Sequence, residues 1–275
     1  MLEFLIRIVY WPAAALAFEE DSLTTPYRDV SQLVVHCRKD RDFQIHIVDL
    51  GSEVTVASVH GGRIEPLTSA LAEAIAGAEH NLYDFRGIRR SNNAQLRVPV
   101  SRFAEMRLNA LMRRSQAALH IDGVPGERAV VHLGGQNRAF KEMLAESLTG
   151  AGLTIEAPHG PGAAHDPTRF YNAPEAGGVQ MELSLALREQ MVDGPLEPGA
   201  GEDPARRTAL FSTVTQAVRE ALERYLAETR SDLDAAMERF ERSTERFSPS
   251  LRQQGHGDHD HHHGNGGNRQ NGSRG

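Results

Sequence analysis

VTVASVHGGRIEP, residues 54–66, reads as a β-strand that runs straight into chemistry. The β-branched and small residues of Val54–Val59 suit a pleated, buried strand. That strand delivers His60 to its carboxyl end, the edge at which open α/β sheets bind ligands. Gly61 and Gly62 follow and permit unusual backbone angles and close approach by a substrate. Glu65 lies on the turn into the next helix, where it can fold back toward the imidazole. One imidazole and one carboxylate make the start of a zinc site. The glycine pair is not a phosphate loop, because no lysine follows it and neither nucleotide-binding glycine pattern is present. A histidine at a strand end serves as readily as a hydrogen-bonded structural residue, so the residues around it decide.

Working outward, Phe43–Val48 (FQIHIV) is a second short β-branched run, separated from the first by a Gly51-Ser52 turn. Thr68–Ala76 predicts a helix stopped by Gly77. Phe103–Arg114 predicts another, with Phe103, Met106, Ala110 and Leu111 on one side. Ala117–Ile121, Ala129–Leu133, Leu153–Ala157 and Val179–Leu183 are apolar strand candidates, and Arg138–Leu148 is a helix. This alternation predicts an α/β fold with a mostly parallel or mixed sheet and helices on both faces. Leu210, Val214, Val218, Leu222, Tyr225 and Leu226 share a helical stripe. The helical pattern continues through Leu233, Met237 and Phe240 to Phe247, and its charged later half is expected to project into solvent or dock on a partner. Pro158–Gly178, rich in Gly, Pro, His and Ala, is a long irregular stretch of the kind that is either functional or disordered, and Asp193–Pro204 is a second polar loop.

Two further strand ends strengthen the reading of His60. In AALHIDG, residues 117–123, His120 and Asp122 lie two apart and so point to one face. Either can supply a third metal ligand. In VQMELS, residues 179–184, Glu182 is a carboxylate set in an apolar strand, where charge is rarely found without a partner or a task. The alternatives are an ion pair, for instance to Arg188, or a general base acting on a metal-activated water. Arg86, Arg89, Arg90 and Arg97 form a basic stretch, RGIRRSNNAQLR, that is either a solvated surface or a set of forks for substrate carboxylates.

The 275 residues carry a formal net charge of -7, which argues against nucleic acid as partner. The single cysteine, Cys37, excludes an intrachain disulfide and cysteine-rich zinc sites. The apolar stretch Met1–Phe18 is too short, and too broken by Pro12, to span a bilayer. Ala15-Leu16-Ala17 resembles a signal-cleavage end, but no positive start precedes it. A cytoplasmic protein is expected, with secretion as the alternative. The His-, Gly- and Asn-rich tail, residues 250–275, is expected to be disordered.

Taken together, HGGRIEP, then a strand ending in a small polar segment with glycine, then VVHLGG and GVQMELSLALR, resemble the poly-γ-glutamate hydrolase family, which includes phage enzymes that cut capsular poly-γ-glutamate. The likeness covers Tyr27 to Leu226. It implies an open mixed α/β sheet flanked by helices, related to zinc carboxypeptidases, with a C-terminal helical extension in this chain. It implies Zn2+ held by His60, Glu65 and a third ligand, with Glu182 as catalytic base. The family's third ligand is a histidine followed by glycine. A gapless match puts Asp122 there, with His120 two residues earlier. Asp122 is the preferred ligand and His120 the alternative after a register shift. A site degraded to a catalytically inactive binding module on the same fold is the remaining option. Arg97 stands where related sequences carry a histidine and is expected to stabilise the attacked carbonyl. Arg86, Arg90 and Asn172 are expected to hold a γ-glutamyl polymer or peptide-like substrate. The expected organisation is an N-terminal segment (1–26), the catalytic domain (27–226), a charged helix (227–249) and the tail (250–275).

Overall fold

The computed structural model describes residues 25–158 and 169–247. The possible cleavage end at Ala15–Ala17, the middle of the Pro158–Gly178 loop and the tail lie outside the described residues. Among those described, seven strands form one sheet: β1 (Phe43–Val48), β2 (Val54–Gly62), β3 (Asn81–Gly87), β4 (Ala117–Val124), β5 (Val130–Gly134), β6 (Thr154–Glu156) and β7 (Val179–Ser184). Their order is β1-β3-β2-β4-β7-β5-β6. The four central strands run parallel, while β1 and β5 pair antiparallel to them at either side. This is the expected mixed α/β sheet.

One face packs on α2 (Thr68–Ala76), α4 (Arg138–Gly150), α5 (Leu185–Gln190) and the first part of α6 (Ala209–Phe247). Val56, Leu119, Ile121, Val179, Met181 and Leu183 point into that layer. The other face is covered by α1 (Val30–His36), the irregular chain from Leu96 to Phe103, α3 (Met106–Arg113) and Phe170–Tyr171. Strand β3 carries Asp84 and Arg86 inside it, and these charges hid it from a reading of apolar runs. Helix α3 begins at Met106 rather than Phe103, because Phe103 is buried among Tyr83, Phe85 and Phe170 after a separate short turn.

The topology fixes where a ligand can sit. The chain leaving β2 turns through α2 to β3 on one side, and the chain leaving β4 goes to β5 on the other. The carboxyl ends of β2 and β4 therefore bound a crevice at a switch point. The described residues divide into two units, one ending at Ala227 and one beginning at Glu228. In the first, Phe211, Val214, Val218, Leu222 and Tyr225 of α6 are buried. Among the described residues, no helix is long and apolar enough to cross a membrane.

Candidate metal centre

His60 reaches the crevice through an irregularity in its strand. Ser58 pairs with Asp84 and Gly61 with Arg86, so β2 spends one residue more than β3 between these points. Such a bulge re-aims side chains. By strict alternation Val59 and His60 would point to opposite faces. Instead Val59 packs in the second layer and His60 also bonds Asp122, which shares that face with Ala118 and His120. The next turn folds back on itself. The Glu65 amide donates to the His60 carbonyl at 2.9 Å, and Thr68 Oγ1 donates to the Glu65 carbonyl at 2.9 Å. Leu67 sits in the left-handed region at φ 83°, a strained conformation for a branched residue.

These local structures bring His60, Glu65 and Asp122 together. One donor atom from each lies within 4.8 Å of the others, and all three residues are buried. His60 Nε2 is 2.7 Å from the Val98 carbonyl, and its Nδ1 is 2.8 Å from Asp122 Oδ1 and 3.9 Å from Glu65 Oε1. A carbonyl only accepts, so Nε2 carries a hydrogen. In the neutral ring Nδ1 is then a bare lone pair facing a carboxylate. That contact is favourable only with a cation between the two atoms, either a proton or a metal ion. An imidazole whose far nitrogen donates to a backbone carbonyl is the usual arrangement of a metal-ligating histidine. One nitrogen and two carboxylate oxygens are a donor set that zinc accepts.

The charges are tightly linked. Burial pushes Glu65 up to about 7, helped by the Asp122 carboxylate and opposed by Arg97. Burial also works to raise Asp122, but the charge and hydrogen bond of His60, with Arg97, more than reverse it and hold it well below the carboxylate range. Burial opposes protonation of His60, yet the Asp122 charge outweighs it and the imidazole is raised. Arg97 Nε donates to Glu65 Oε1 at 2.5 Å, and its Nη2 is 3.8 Å from Asp122 Oδ2. The Gly123 amide donates to Glu65 Oε2. A Cβ at Gly123 would lie 2.8 Å from that oxygen and 2.7 Å from Arg188 Cζ, so the position admits no side chain without displacement.

The other expected residues divide. Glu182 is the register partner of Asp122 on the next strand, partly exposed, and accepts from Gln180 Nε2 at 2.9 Å. His120 stands apart from the three. Its ring is fully buried, stacked on Tyr171 with centroids 5.6 Å apart and edge-on to Phe170, and burial lowers it to about 3. Its two ring nitrogens are buried and meet no hydrogen-bond partner among the described residues, so the ring contributes aromatic contacts and is not one of the three converging donors. Arg86 is held by Asp84 and Glu73. Arg90 is exposed on the surface after β3. Asn172 accepts from the Gln136 amide at 3.0 Å and the Gly178 amide at 3.4 Å. Gly178 precedes β7, so this bracket lies near the amino end of the central strands, about 13 Å along β7 from Glu182. Asn172 lines a cleft of about 420 Å³ there with Val100, Arg113 and Arg169. The close approach at Gly61 is also internal, since a Cβ would meet Asp84 Oδ1 and Ser69 Oγ at 2.2 Å.

Arg188 is the contributor that sequence reading missed. The sequence offers it only as an ion-pair partner for Glu182. Its buried guanidinium instead donates to the carbonyls of Pro66 (3.1 Å), Leu183 (3.3 Å) and Val124 (3.4 Å). Those carbonyls lie beside Glu65, beside Glu182 and two residues after Asp122, so one side chain ties together the three segments that carry the site. Its place at the end of GVQMELSLALR, one turn into the helix after the Glu182 strand, was the available signal.

Comparison with known proteins fits this geometry. Residues 27–217 match the profile described as poly-gamma-glutamate hydrolase. The chain is 28% identical over 156 residues to UPF0714 protein YndL of Bacillus subtilis (strain 168), covering 54% of this chain and 60% of that protein. It is 28% identical over 146 residues to UPF0714 protein YmaC of the same organism, covering 52% and 62%. The chain thus spans about three-fifths of the length of these curated relatives. Among solved structures, a bacteriophage poly-gamma-glutamate hydrolase superposes with a TM-score of 0.70 at 22% identity, over 74% of this chain and 99% of that one. A zinc-free form of YndL gives 0.65 at 23% identity, over 72% and 96%. Both share the fold described above.

Proposed function

The chain belongs to the poly-gamma-glutamate hydrolase family, and we propose that it is a zinc-dependent hydrolase of γ-glutamyl or related amide bonds, with His60, Glu65 and Asp122 as the metal ligands. The observation that carries the reading is the Nδ1 lone pair of His60, fixed by the Val98 carbonyl and aimed at Asp122 2.8 Å away. The zinc-free form of a relative, YndL, supports the choice of metal.

Zinc, when bound, lowers the pKa of water and polarises the attacked carbonyl. The protein's part is to hold and move protons around that chemistry. Val98 keeps the hydrogen of His60 on Nε2, leaving Nδ1 to ligate. Gly123 orients one Glu65 oxygen and leaves the other toward His60. Glu182, on the strand beside Asp122, takes the proton of the attacking water and returns it to the departing nitrogen. Arg97, at the rim with a side chain 10% exposed, offers a guanidinium to the developing charge on the carbonyl oxygen. A γ-linked glutamate polymer carries a free carboxylate on every residue, and arginine forks match that chemistry.

A second reading, an inactive binding module, draws on the hold of Arg97 on Glu65 and Asp122, which supplies an internal cation where a metal would otherwise be needed. One experiment separates the two. Zinc content and amine release from poly-γ-glutamate are measured for the full chain, His60→Ala and Glu182→Gln. The hydrolase reading expects zinc and turnover in the parent, loss of both in His60→Ala, and zinc without turnover in Glu182→Gln. A parent chain whose zinc content equals that of His60→Ala, and which releases no amine, returns the site to the binding reading.

A further inference from the structure

The second unit is described from Glu228 to Phe247, all of it helix, about 30 Å long. Leu233, Met237 and Phe240 are 59, 56 and 70% exposed. Their spacing of four and three residues puts them on one face of the helix. In a seven-residue frame with Leu233 and Phe240 at the a positions, Ala236 falls at d and Asp232 and Arg239 fall at g. Nearly every other residue is polar or charged, so this face is a narrow apolar seam rather than the broad stripe of a helix packed on a core. Asp232 and Arg239 form no ion pair among the described residues.

We infer that this seam binds a second copy of the chain, with the two helices antiparallel. The charge pattern selects both the partner and the direction. In an antiparallel pair, g positions face g positions, so Asp232 of each copy meets Arg239 of the other, twice by symmetry. Leu233 of each packs on Ala236 of the other, a against d, with Phe240 of the other copy in the adjoining layer. The contact is isologous and closed. In a parallel pair, g faces e, and Asp232 and Arg239 would meet Met237 and Thr244 instead, with no charge matched. The apolar part spans only two turns, so the dimer is weak and concentration-dependent rather than obligate.

The test is sedimentation velocity of the full-length chain over a concentration series. A monomer–dimer equilibrium is expected. Asp232→Arg and Arg239→Asp should each weaken it by about tenfold, because each turns two attractive contacts into repulsive ones. The variant carrying both exchanges should regain parental association, since every pair is again opposite in sign. Leu233→Glu should abolish the dimer. Far-UV circular dichroism checks that each variant keeps its helix. A chain that stays monomeric at every soluble concentration overturns the inference, and binding of that monomer to lipid vesicles would give the seam a different occupant. Dimers indifferent to the single charge reversals, or not restored by the double exchange, overturn the antiparallel arrangement.

Discussion

Asp84 and Asp122 are buried carboxylates on the two strands that flank β2, and they face opposite sides of the sheet. Asp84 accepts from Ser69 Oγ at 2.9 Å and pairs with Arg86, which also pairs with Glu73. Acceptors there meet donors and the cluster is closed. Around Asp122, two carboxylates and an imidazole lone pair converge; Arg97 and the Gly123 amide donate to Glu65, while Arg97 lies 3.8 Å from the nearest Asp122 oxygen and the His60 Nδ1–Asp122 contact has no donor of its own in the neutral ring. Burial of a carboxylate therefore does not by itself mark a site. The mark is acceptors aimed at one another with a cation owed between them. The closed cluster also explains why Arg86 is not available to substrate.

The sharpest way to break this contrast is to compare zinc binding in matched variants. Asp122→Ala should lower zinc content by about one ion per chain, because a site of three protein ligands does not survive the loss of one. The expected loss in affinity exceeds the roughly 10–100-fold that follows removal of an outer-shell partner. Asp84→Asn should leave zinc content unchanged. Equal loss in both, measured by elemental analysis after dialysis, would mean that the metal responds to fold integrity and not to the triad. Next in size is Arg188→Met. It removes a buried charge and leaves the Pro66, Leu183 and Val124 carbonyls short of a donor, which should cost about 4 kcal/mol in urea unfolding. Arg188→Lys should recover only part of this, since one ammonium does not span three carbonyls as the guanidinium fork does.

His60 and Glu65 were legible as neighbours because a strand end and a short turn bring them together by local rules, and Asp122 was legible as a residue near the carboxyl end of a strand of the same sheet. The central parallel strands were equally readable as apolar runs. What escaped depended on long-range packing. The bulge that turns His60 to the Asp122 face is a pairing irregularity with β3, and β3 itself was obscured by Asp84 and Arg86. His120 has the side chain of a ligand, and only the three-dimensional structure sets it between the rings of Phe170 and Tyr171 and outside the group of three converging donors. Asn172 precedes a motif block closely in sequence yet sits at the other end of the sheet, because the strand it leads into begins there. Arg188 acts on backbone carbonyls, which carry no residue-type signal.

Arg97 and Arg86 offer a further contrast. Arg97→Gln leaves Glu65 and Asp122 without their cation, so the metal-free protein should lose about 3 kcal/mol. Saturating zinc should restore most of it, because the metal supplies the missing charge. Arg86→Gln should also destabilise, but zinc should not repair it. Thermal melts of both variants with and without zinc read this directly. Identical zinc responses would remove the distinction between the two clusters.

The smallest effect concerns pH. Burial raises Asp84 from 3.8 to about 6, against the opposing pull of Arg86 and Ser69. A folded-state pKa above the unfolded value means that the native protein binds this proton more tightly. The resulting stabilisation is full below about pH 4, falls as pH rises toward 6 and is gone above it. The slope in that window is at most about 1.4 kcal/mol per pH unit. Asp42 has the opposite sign: hydrogen bonds from Arg41 and the Arg38 amide hold it at about 2, so its contribution is lost only as pH falls toward that value. Subtracting the urea midpoints of Asp84→Asn from those of the parent across pH 4–7 isolates the one carboxylate from the rest. A difference that declines with pH to about 6 and then levels identifies Asp84 as a closed, costly ionisation inside a satisfied network. A difference that stays flat means that Arg86 and Ser69 compensate the charge fully, and the two clusters would then differ in ligand geometry alone.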